Sequence, residues 1–225
     1  MQYDDILTWL KSLANPRAVE GMARYGIATE KAYGVSIPDL RNIAREIGKD
    51  HGLAQRLWEA GIRETRILAS MIDDPGMVTE GQMESWVGGF DSWEVCDQCC
   101  MNLFGRTVFA YKKAVEWSSR EEEFVKRAGF VLMARLAVSD RRADDGAFAE
   151  FLPIIGRGAT DKRNFVKKAV NWALRQIGKR NLVLNDMALG TAREIQQMNS
   201  ASARWVASYA IRELTSEAVQ NRLRR

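Results

Sequence analysis

The chain has 225 residues, of which 46% are hydrophobic, so it is long and apolar enough to bury a sizeable core. Its net charge is only +4, so a basic surface must come from local clustering of lysine and arginine. No apolar run reaches the roughly 18 residues of a membrane span, and residues 1–5 do not resemble the start of a signal peptide. We therefore expect a cytoplasmic protein without a membrane segment.

Turn and capping residues recur along the whole chain, and the apolar residues between them follow a helical period rather than strand-like alternation. These signals predict an all-α protein of about a dozen short helices, forming one domain over residues 1–225. The predicted helix starts are Ser36, Thr79, Ser92 and Thr107, and the predicted ends are Gly48, Gly61, Gly105 and Gly178.

The segment 92–104 predicts a helix with an acid at the margin of its apolar face. Trp93 and Asp97 are four residues apart and share a side of this helix, flanked by Cys96, Cys100 and Leu103. A carboxylate beside a core is costly unless it is paired, which makes Asp97 a candidate functional residue. The alternative is an acid at the helix margin bonded to an arginine, and Arg127 is a possible partner.

The three cysteines lie between Cys96 and Cys100, where a zinc site would need further ligands. His51 is the one histidine of the chain, and no second cysteine pair exists. We therefore expect helix packing for the cysteines, and neither a metal nor another cofactor. No glycine-rich phosphate loop matches a nucleotide fingerprint.

Four predicted helices open with a cation followed by small and apolar residues, beginning at Arg66, Arg127, Lys168 and Arg204. The last three cations are 41 and 36 residues apart, close to the period of HEAT and armadillo repeats. Such repeats pair helices and stack the pairs. The sequence thus predicts an α-solenoid, a superhelix of stacked HEAT-like helix pairs, with cations lining its groove.

The helix predicted over 163–178 carries a tryptophan on the side away from its apolar stripe. Seven of the residues from 161 to 180 are lysine or arginine, against one acid. Such a surface suits phosphate groups. The alternative is an indole packed on a neighbouring helix beneath lysine stems. The predicted face comprises Asn164, Lys168, Trp172, Arg175 and Lys179, with Arg180 just beyond it.

Several motifs in succession resemble those of the AlkD-type DNA glycosylases, a DNA alkylation repair family built of HEAT-like repeats. They are Trp93-Glu-Val-Cys-Asp97, Lys126-Arg127-Ala-Gly-Phe130 and Lys168-Ala-Val-Asn-Trp172-Ala-Leu-Arg175, preceded by matches at 22–25 and 33–41. The chain departs from the family pattern at Ser92 and Glu94, where members often carry tryptophan and aspartate.

The resemblance implies excision of cationic N3- or N7-alkylated purines from double-stranded DNA. It makes Asp97 the catalytic carboxylate, Trp93 and Trp172 the aromatic contacts to the lesion's sugar and backbone, and Arg127 a contact in the same cleft. We expect phosphate contacts from Lys168, Arg175, Lys179 and Arg180, and a chain that acts as a monomer.

Two other functions fit the sequence. A non-catalytic paralogue could bind branched or distorted DNA through the same basic groove, without needing Asp97. A HEAT-type protein–protein scaffold is the third possibility, although a basic inner face that displays a tryptophan is unusual for one.

Overall fold

The computed structural model describes residues 1–224, and these contain fifteen α-helices, one short 3₁₀ turn and no β-strand. The all-α prediction is therefore confirmed, with a few more helices than the dozen expected. Within residues 1–224, no helix is both long and apolar enough to cross a membrane.

The described residues group into two compact units, the first formed by Met1–Val108. In this unit α5 packs on α3, α4 and α7. The helices are α1 (Tyr3–Ser12), α2 (Pro16–Ala23), α3 (Ile37–Ile47), α4 (His51–Glu59), α5 (Arg63–Ile72), α6 (Glu80–Gly88) and α7 (Trp93–Asn102), followed by the 3₁₀ turn Phe104–Arg106.

The second unit begins at Phe109. Its centre is α12, which packs on α9, α13 and α14. The helices are α8 (Ala110–Ser118), α9 (Glu123–Ser139), α10 (Asp145–Ala149), α11 (Phe151–Gly158), α12 (Asn164–Gly178), α13 (Leu182–Gln196), α14 (Ala201–Leu214) and α15 (Glu217–Leu223).

Side-chain caps fix three of the four predicted helix starts. Ser36, Thr79 and Ser92 are N-caps whose hydroxyl groups accept a backbone N–H of the first turn. The predicted start at Thr107 is wrong, because α8 begins at Ala110 and the Thr107 hydroxyl donates back to the carbonyl of Phe104. That bond closes the 3₁₀ turn, so the capping-type residue ends one element instead of starting the next.

The predicted helix ends are also mostly confirmed. Gly48 and Gly61 follow α3 and α4 with φ of 77° and 67°, a conformation that glycine adopts without strain. Gly178 is the last residue of α12. The end predicted at Gly105 is wrong, because α7 stops at Asn102 and Gly105 lies inside the 3₁₀ turn.

Close helix contact in the second unit depends on Gly129 in α9. A Cβ atom at this position would lie 2.4 Å from the backbone nitrogen of Ser118 in α8, well inside van der Waals contact. Around it α9 is buried on all sides from Ala128 to Ala134, as its apolar sequence predicts. This part of α9 is therefore enclosed by its neighbours, among them α8 and α12.

The repeat spacing correctly predicts which helices are neighbours. Arg127, Lys168 and Arg204 lie on α9, α12 and α14, and α12 packs between the other two. A buried amide reinforces one of these contacts, because the Asn171 side chain donates to the carbonyl of Val206 over 2.9 Å. The stacking of successive helices is that of a HEAT-like fold.

Arg66, the remaining cation of the repeat pattern, is bonded to other residues of the first unit. Its guanidinium donates to the carbonyl of Gly89 at 3.0 Å and to Asp91 at 2.8 Å, and it lies 5.1 Å from the ring centre of Trp58. These contacts join α5 to the segment before α7. Arg66 thus holds this part of the first unit together.

Candidate nucleic-acid interface

Helix α12 has the two faces that its sequence predicts. Its apolar stripe is fully buried, comprising Val166, Val170, Ala173, Leu174 and Ile177. On the opposite side Lys168 is exposed, while Trp172 and Arg175 are half-buried. The buried stripe fixes the rotation of the helix, so these three side chains are held on one side of it.

That side of α12 borders a cavity of about 730 Å³ formed with α14, which is the principal candidate for a ligand site. The cavity is basic and aromatic together, with one acid. Its lining comprises Arg127, Lys168, Asn171, Trp172, Arg175, Trp205, Tyr209, Arg212, Glu213 and Ser216. Four of the predicted site residues, Arg127, Lys168, Trp172 and Arg175, are thus brought together.

Arg127 lies at the base of this cavity, 6% exposed. One guanidinium nitrogen donates to the carbonyl of Phe165, 2.5 Å away, at the start of α12. A buried guanidinium needs a hydrogen-bond acceptor, and this carbonyl is one partner of Arg127. This bond ties α9 to α12 and fixes the arginine in the cavity wall.

The one acid in the cavity lining is Glu213 of α14, which the sequence analysis did not predict as a site residue. Its carboxylate is bonded to Arg175, and the ammonium nitrogen of Lys179 lies 2.7 Å from it. Burial alone would raise the pKa of Glu213, but the hydrogen bonds from Lys179 and Arg175 lower it below its usual value. Two predicted phosphate contacts are therefore partly neutralised in the free protein.

Lys179 and Arg180 lie on a second cavity, of about 490 Å³, beyond the end of α12. It is lined by Ala137, Val138, Arg141, Gln176, Lys179, Arg180, Asn181 and Arg222. The row of cations that the sequence predicts as one surface is therefore shared between two cavities. Arg141 and Arg222 join the second, and sequence spacing could not reveal them because they come from other segments.

The Arg180 guanidinium is bound mainly to the protein itself. It donates to the carbonyls of Ala137, Asp140 and Ala143 at 2.8–3.3 Å, and it lies 3.9 Å from the ring centre of Phe148. These bonds close the loop between α9 and α10. The geometry therefore gives Arg180 a structural role and leaves it little capacity for phosphate oxygens.

A second predicted group lies in the first unit, on α7. Trp93 and Asp97 are half-buried, and the neighbouring Cys96, Cys100 and Leu103 are fully buried. The acid therefore borders the core, as expected. The indole N–H of Trp93 donates to the carbonyl of Tyr25 at 2.9 Å, which fixes one edge of the ring.

An ion network that the sequence did not predict holds the start of α7. The buried Arg63 makes two parallel bonds to Glu94, at 2.7 and 2.8 Å, and a third bond to Glu64. Glu64 in turn accepts backbone N–H groups of Tyr33, Gly34 and Val35. Glu94 thus anchors the turn of α7 that carries Trp93.

The charge of Arg63 is strongly favoured in this setting. Burial would lower its pKa, but the hydrogen bonds and the charges of Glu94 and Glu64 raise it. The network contains one cation and two carboxylates, and the extra negative charge is stabilised by the three backbone donors.

Cys96, Cys99 and Cys100 are fully buried in α7, and burial raises the pKa of Cys99 well above its ordinary value. His51 begins α4 and lies 2.7 Å from the buried Asp73. Among residues 1–224, no cluster of three or more histidine, cysteine or acidic side chains could hold a metal ion.

The aromatic residues that α14 contributes to the cavity were not predicted from the sequence. Trp205 and Tyr209 have ring centres 4.5 Å apart, and both border the cavity with Arg212. Their spacing of four and then three residues was a usable signal, since it places all three on one side of a helix. Arg204, the cation of the repeat pattern, is exposed on the same helix.

The chain is similar to two curated proteins and to one solved structure of the same fold. The uncharacterized proteins of Listeria innocua and Listeria monocytogenes are 26% and 25% identical over 132 residues, 57% of this chain. The match spans 59% of each relative's length. A solved structure superposes with a TM-score of 0.81 at 20% identity, over 99% of this chain and 96% of that one. It represents a new family related to the HEAT-like repeat DNA glycosylases with affinity for branched DNA structures.

The family model for the DNA alkylation repair enzymes matches residues 6–214, which include α7, α9 and α12 with every predicted site residue. The chain belongs to the DNA alkylation repair enzyme family.

Proposed function

We propose that the protein is a DNA glycosylase that removes cationic N3- or N7-alkylated purines from duplex DNA. The observation that carries the proposal is the cavity between α12 and α14, whose lining combines the cations of Lys168, Arg175 and Arg212 with indole and phenol rings. Such a lining suits a sugar-phosphate backbone. Membership of a DNA alkylation repair family supports the same substrate class.

Phosphate binding would fall mainly to Lys168 and Arg175, which share one side of α12 with Trp172. Each phosphate that they neutralise releases counterions, which makes binding favourable and salt-dependent. The face of Trp172 can attract positively charged groups through its quadrupole. Arg180 contributes little to these contacts because its guanidinium is bonded to three carbonyls.

Asp97 is the residue that we assign to the chemistry. An N3- or N7-alkylated purine is cationic, so breaking its bond to C1′ releases a neutral base and leaves an oxocarbenium-like sugar. A carboxylate stabilises this cation and orients the water that adds to C1′, while the water proton passes to solvent. No general acid and no cofactor are needed, and we propose that one copy of the chain suffices.

The proposal is tested by single-turnover release of N7-methylguanine or N3-methyladenine from methylated duplex, with a binding titration beside it. Asp97→Asn should slow release by about 10²-fold or more, on the scale of losing one preorganised electrostatic contact. DNA affinity should stay equal or improve, because a carboxylate near phosphates is repulsive. Asp186→Asn, which changes an exposed acid of α13, is the matched control and should release base normally.

The second candidate is a protein that binds branched DNA without excising a base. The observation in its favour is the structural neighbour with affinity for branched DNA. Under this reading the wild-type protein releases no base, binds a four-way junction more tightly than a linear duplex, and is indifferent to Asp97→Asn. Release of methylated base by the wild-type protein would decide against it.

A further inference from the structure

Trp205 and Tyr209 form a short stack of rings on α14 that the proposed chemistry does not use. Their centres are 4.5 Å apart with planes tilted by 36°, and both border the cavity. Tyr209 is 42% exposed. Rings that serve only packing are usually covered, so an exposed stack beside a basic cavity indicates a surface for a flat ligand.

A cation lies close to each of the two rings. The ammonium nitrogen of Lys167 is 4.8 Å from the Trp205 ring centre, and the guanidinium carbon of Arg212 is 4.5 Å from that of Tyr209. Arg212 is exposed, so rotation of its side chain can open the outer face of Tyr209. A displaced Arg212 could then contact a phosphate, which offsets the lost contact with the ring.

The opposite wall of the cavity supplies matching groups, since α12 contributes Trp172 and Lys168. A flat group that enters from solvent therefore meets aromatic rings from both helices and cations from both. The volume of about 730 Å³ lies within the range of small-molecule sites, roughly 300–1,000 Å³. A nucleobase joined to its phosphates has this combination of a flat face and negative charge.

We propose that the stack of Trp205 and Tyr209 binds an unpaired nucleobase of DNA, with Lys168 and Arg212 on the adjoining phosphates. This inference rests on the proposed DNA binding and deepens it. A base within a duplex has both faces covered by its neighbours, whereas an unpaired base at a fork or flap presents a free face. The protein should therefore prefer a duplex that adjoins a single-stranded segment over an unbroken duplex.

The test compares three fluorescently labelled duplexes of one sequence: blunt, with a short thymidine flap, and with an abasic flap of equal length. The abasic flap keeps the phosphates and removes only the bases. We expect the wild-type protein to bind the thymidine flap roughly 5- to 100-fold more tightly than the abasic flap, as stacking of one base predicts. Equal affinity for the two flaps would overturn the inference, whatever the state of any variant.

Variants locate the effect. Tyr209→Leu and Trp205→Leu should each reduce the preference for the thymidine flap, while Tyr209→Phe keeps the ring and should preserve it. A preference that survives both leucine changes would place the base elsewhere. Release of base from a blunt methylated duplex by the wild-type protein tests the proposed glycosylase activity separately. Glycosylase activity and binding of an unpaired base can therefore be disproved independently.

Discussion

The ammonium nitrogen of Lys179 lies 2.7 Å from a carboxylate oxygen of Glu213, an acid that also holds Arg175. The carboxylate of Glu213 is therefore paired with two cations in the free protein. Since Lys179 and Arg175 border different cavities, Glu213 couples the charge of both. The acid should restrain DNA binding, because phosphates must compete with it.

Replacing Glu213 tests this restraint directly. Glu213→Gln should tighten binding of duplex DNA by roughly 3- to 5-fold at low salt, the scale of one partly exposed ion pair. Fluorescence anisotropy with a labelled duplex measures the change. Glu194→Gln, an exposed acid of α13 with the same change in net charge, is the control. Weaker binding in Glu213→Gln would show that the acid orders the cations instead of competing for them.

Lys168 and Arg175 should account for two phosphate contacts. In the variant Lys168→Gln with Arg175→Gln, the slope of log affinity against log salt should become shallower by about 1.8. Affinity should fall for every duplex sequence alike, because phosphates carry no sequence information. The double control is Lys11→Gln with Arg193→Gln, at exposed positions on α1 and α13. An unchanged slope would remove this side of α12 from the interface.

Trp93 and Trp172 should affect binding and rate together. Replacing either with alanine removes a ring that we expect to contact DNA before and during bond cleavage. Each contact should contribute about 0.5–2 kcal/mol to the binding free energy. Both the binding constant and the single-turnover rate should therefore worsen, unlike the pattern for Asp97→Asn. Trp9→Ala, a half-buried indole of α1, controls for the loss of a large side chain. A pure rate effect at Trp172 would contradict a ground-state contact.

The start of α12 should lose stability in acid through Asp161. Burial would raise its pKa, but the hydrogen bonds and charge of Arg163 and the charge of Lys126 lower it below the ordinary aspartate value. A carboxyl with a lowered pKa stabilises the fold above its ordinary pKa, and the contribution disappears as the pH falls through the lower, folded value. Asp161→Asn should thus cost about 1 kcal/mol at pH 7 and less at pH 3, where the carboxyl of the unfolded chain is already largely protonated. Urea unfolding at both pH values measures it, and an equal cost at both would exclude the ionised form as the cause.

Arg63 should be critical for the first unit. Arg63→Met would leave Glu64 and Glu94 without their shared cation, and removing one partner of a buried ion network costs about 3–5 kcal/mol. Arg63→Lys keeps the charge but cannot make the two parallel bonds to Glu94, so an intermediate loss is expected. Chemical denaturation with tryptophan fluorescence compares the three proteins. Equal stability of the methionine variant would mean that the network is dispensable.

Much of the fold follows from local sequence signals. The caps at Ser36, Thr79 and Ser92 and the apolar stripe of α12 depend on residues within one or two helical turns, so their spacing predicts the structure. Thr107 misled the prediction because a threonine hydroxyl can end one turn as readily as it starts another.

The site was less accessible from sequence, because its parts come from separate segments. The helical spacing within α12 was enough to predict that Lys168, Trp172 and Arg175 share one side. The residues that α14 adds to the cavity, and the pairing of Glu213 with α12, depend on how the two helices pack. Likewise, the Arg180 guanidinium donates to three backbone carbonyls of residues 137–143. A pattern of side chains in the sequence cannot predict a bond to a backbone carbonyl of a distant segment. Helix faces are readable from periodicity, but tertiary partners are not.

The fully buried thiols of α7 have a consequence for a protein that would work where DNA is being alkylated. Electrophiles attack the thiolate form, and Cys99 is held as a thiol by its raised pKa as well as by the packing around it. All three cysteines of the chain share this burial. The folded protein therefore offers soft electrophiles no exposed thiol on α7, and an alkylating agent should leave these three cysteines unmodified while the protein stays folded.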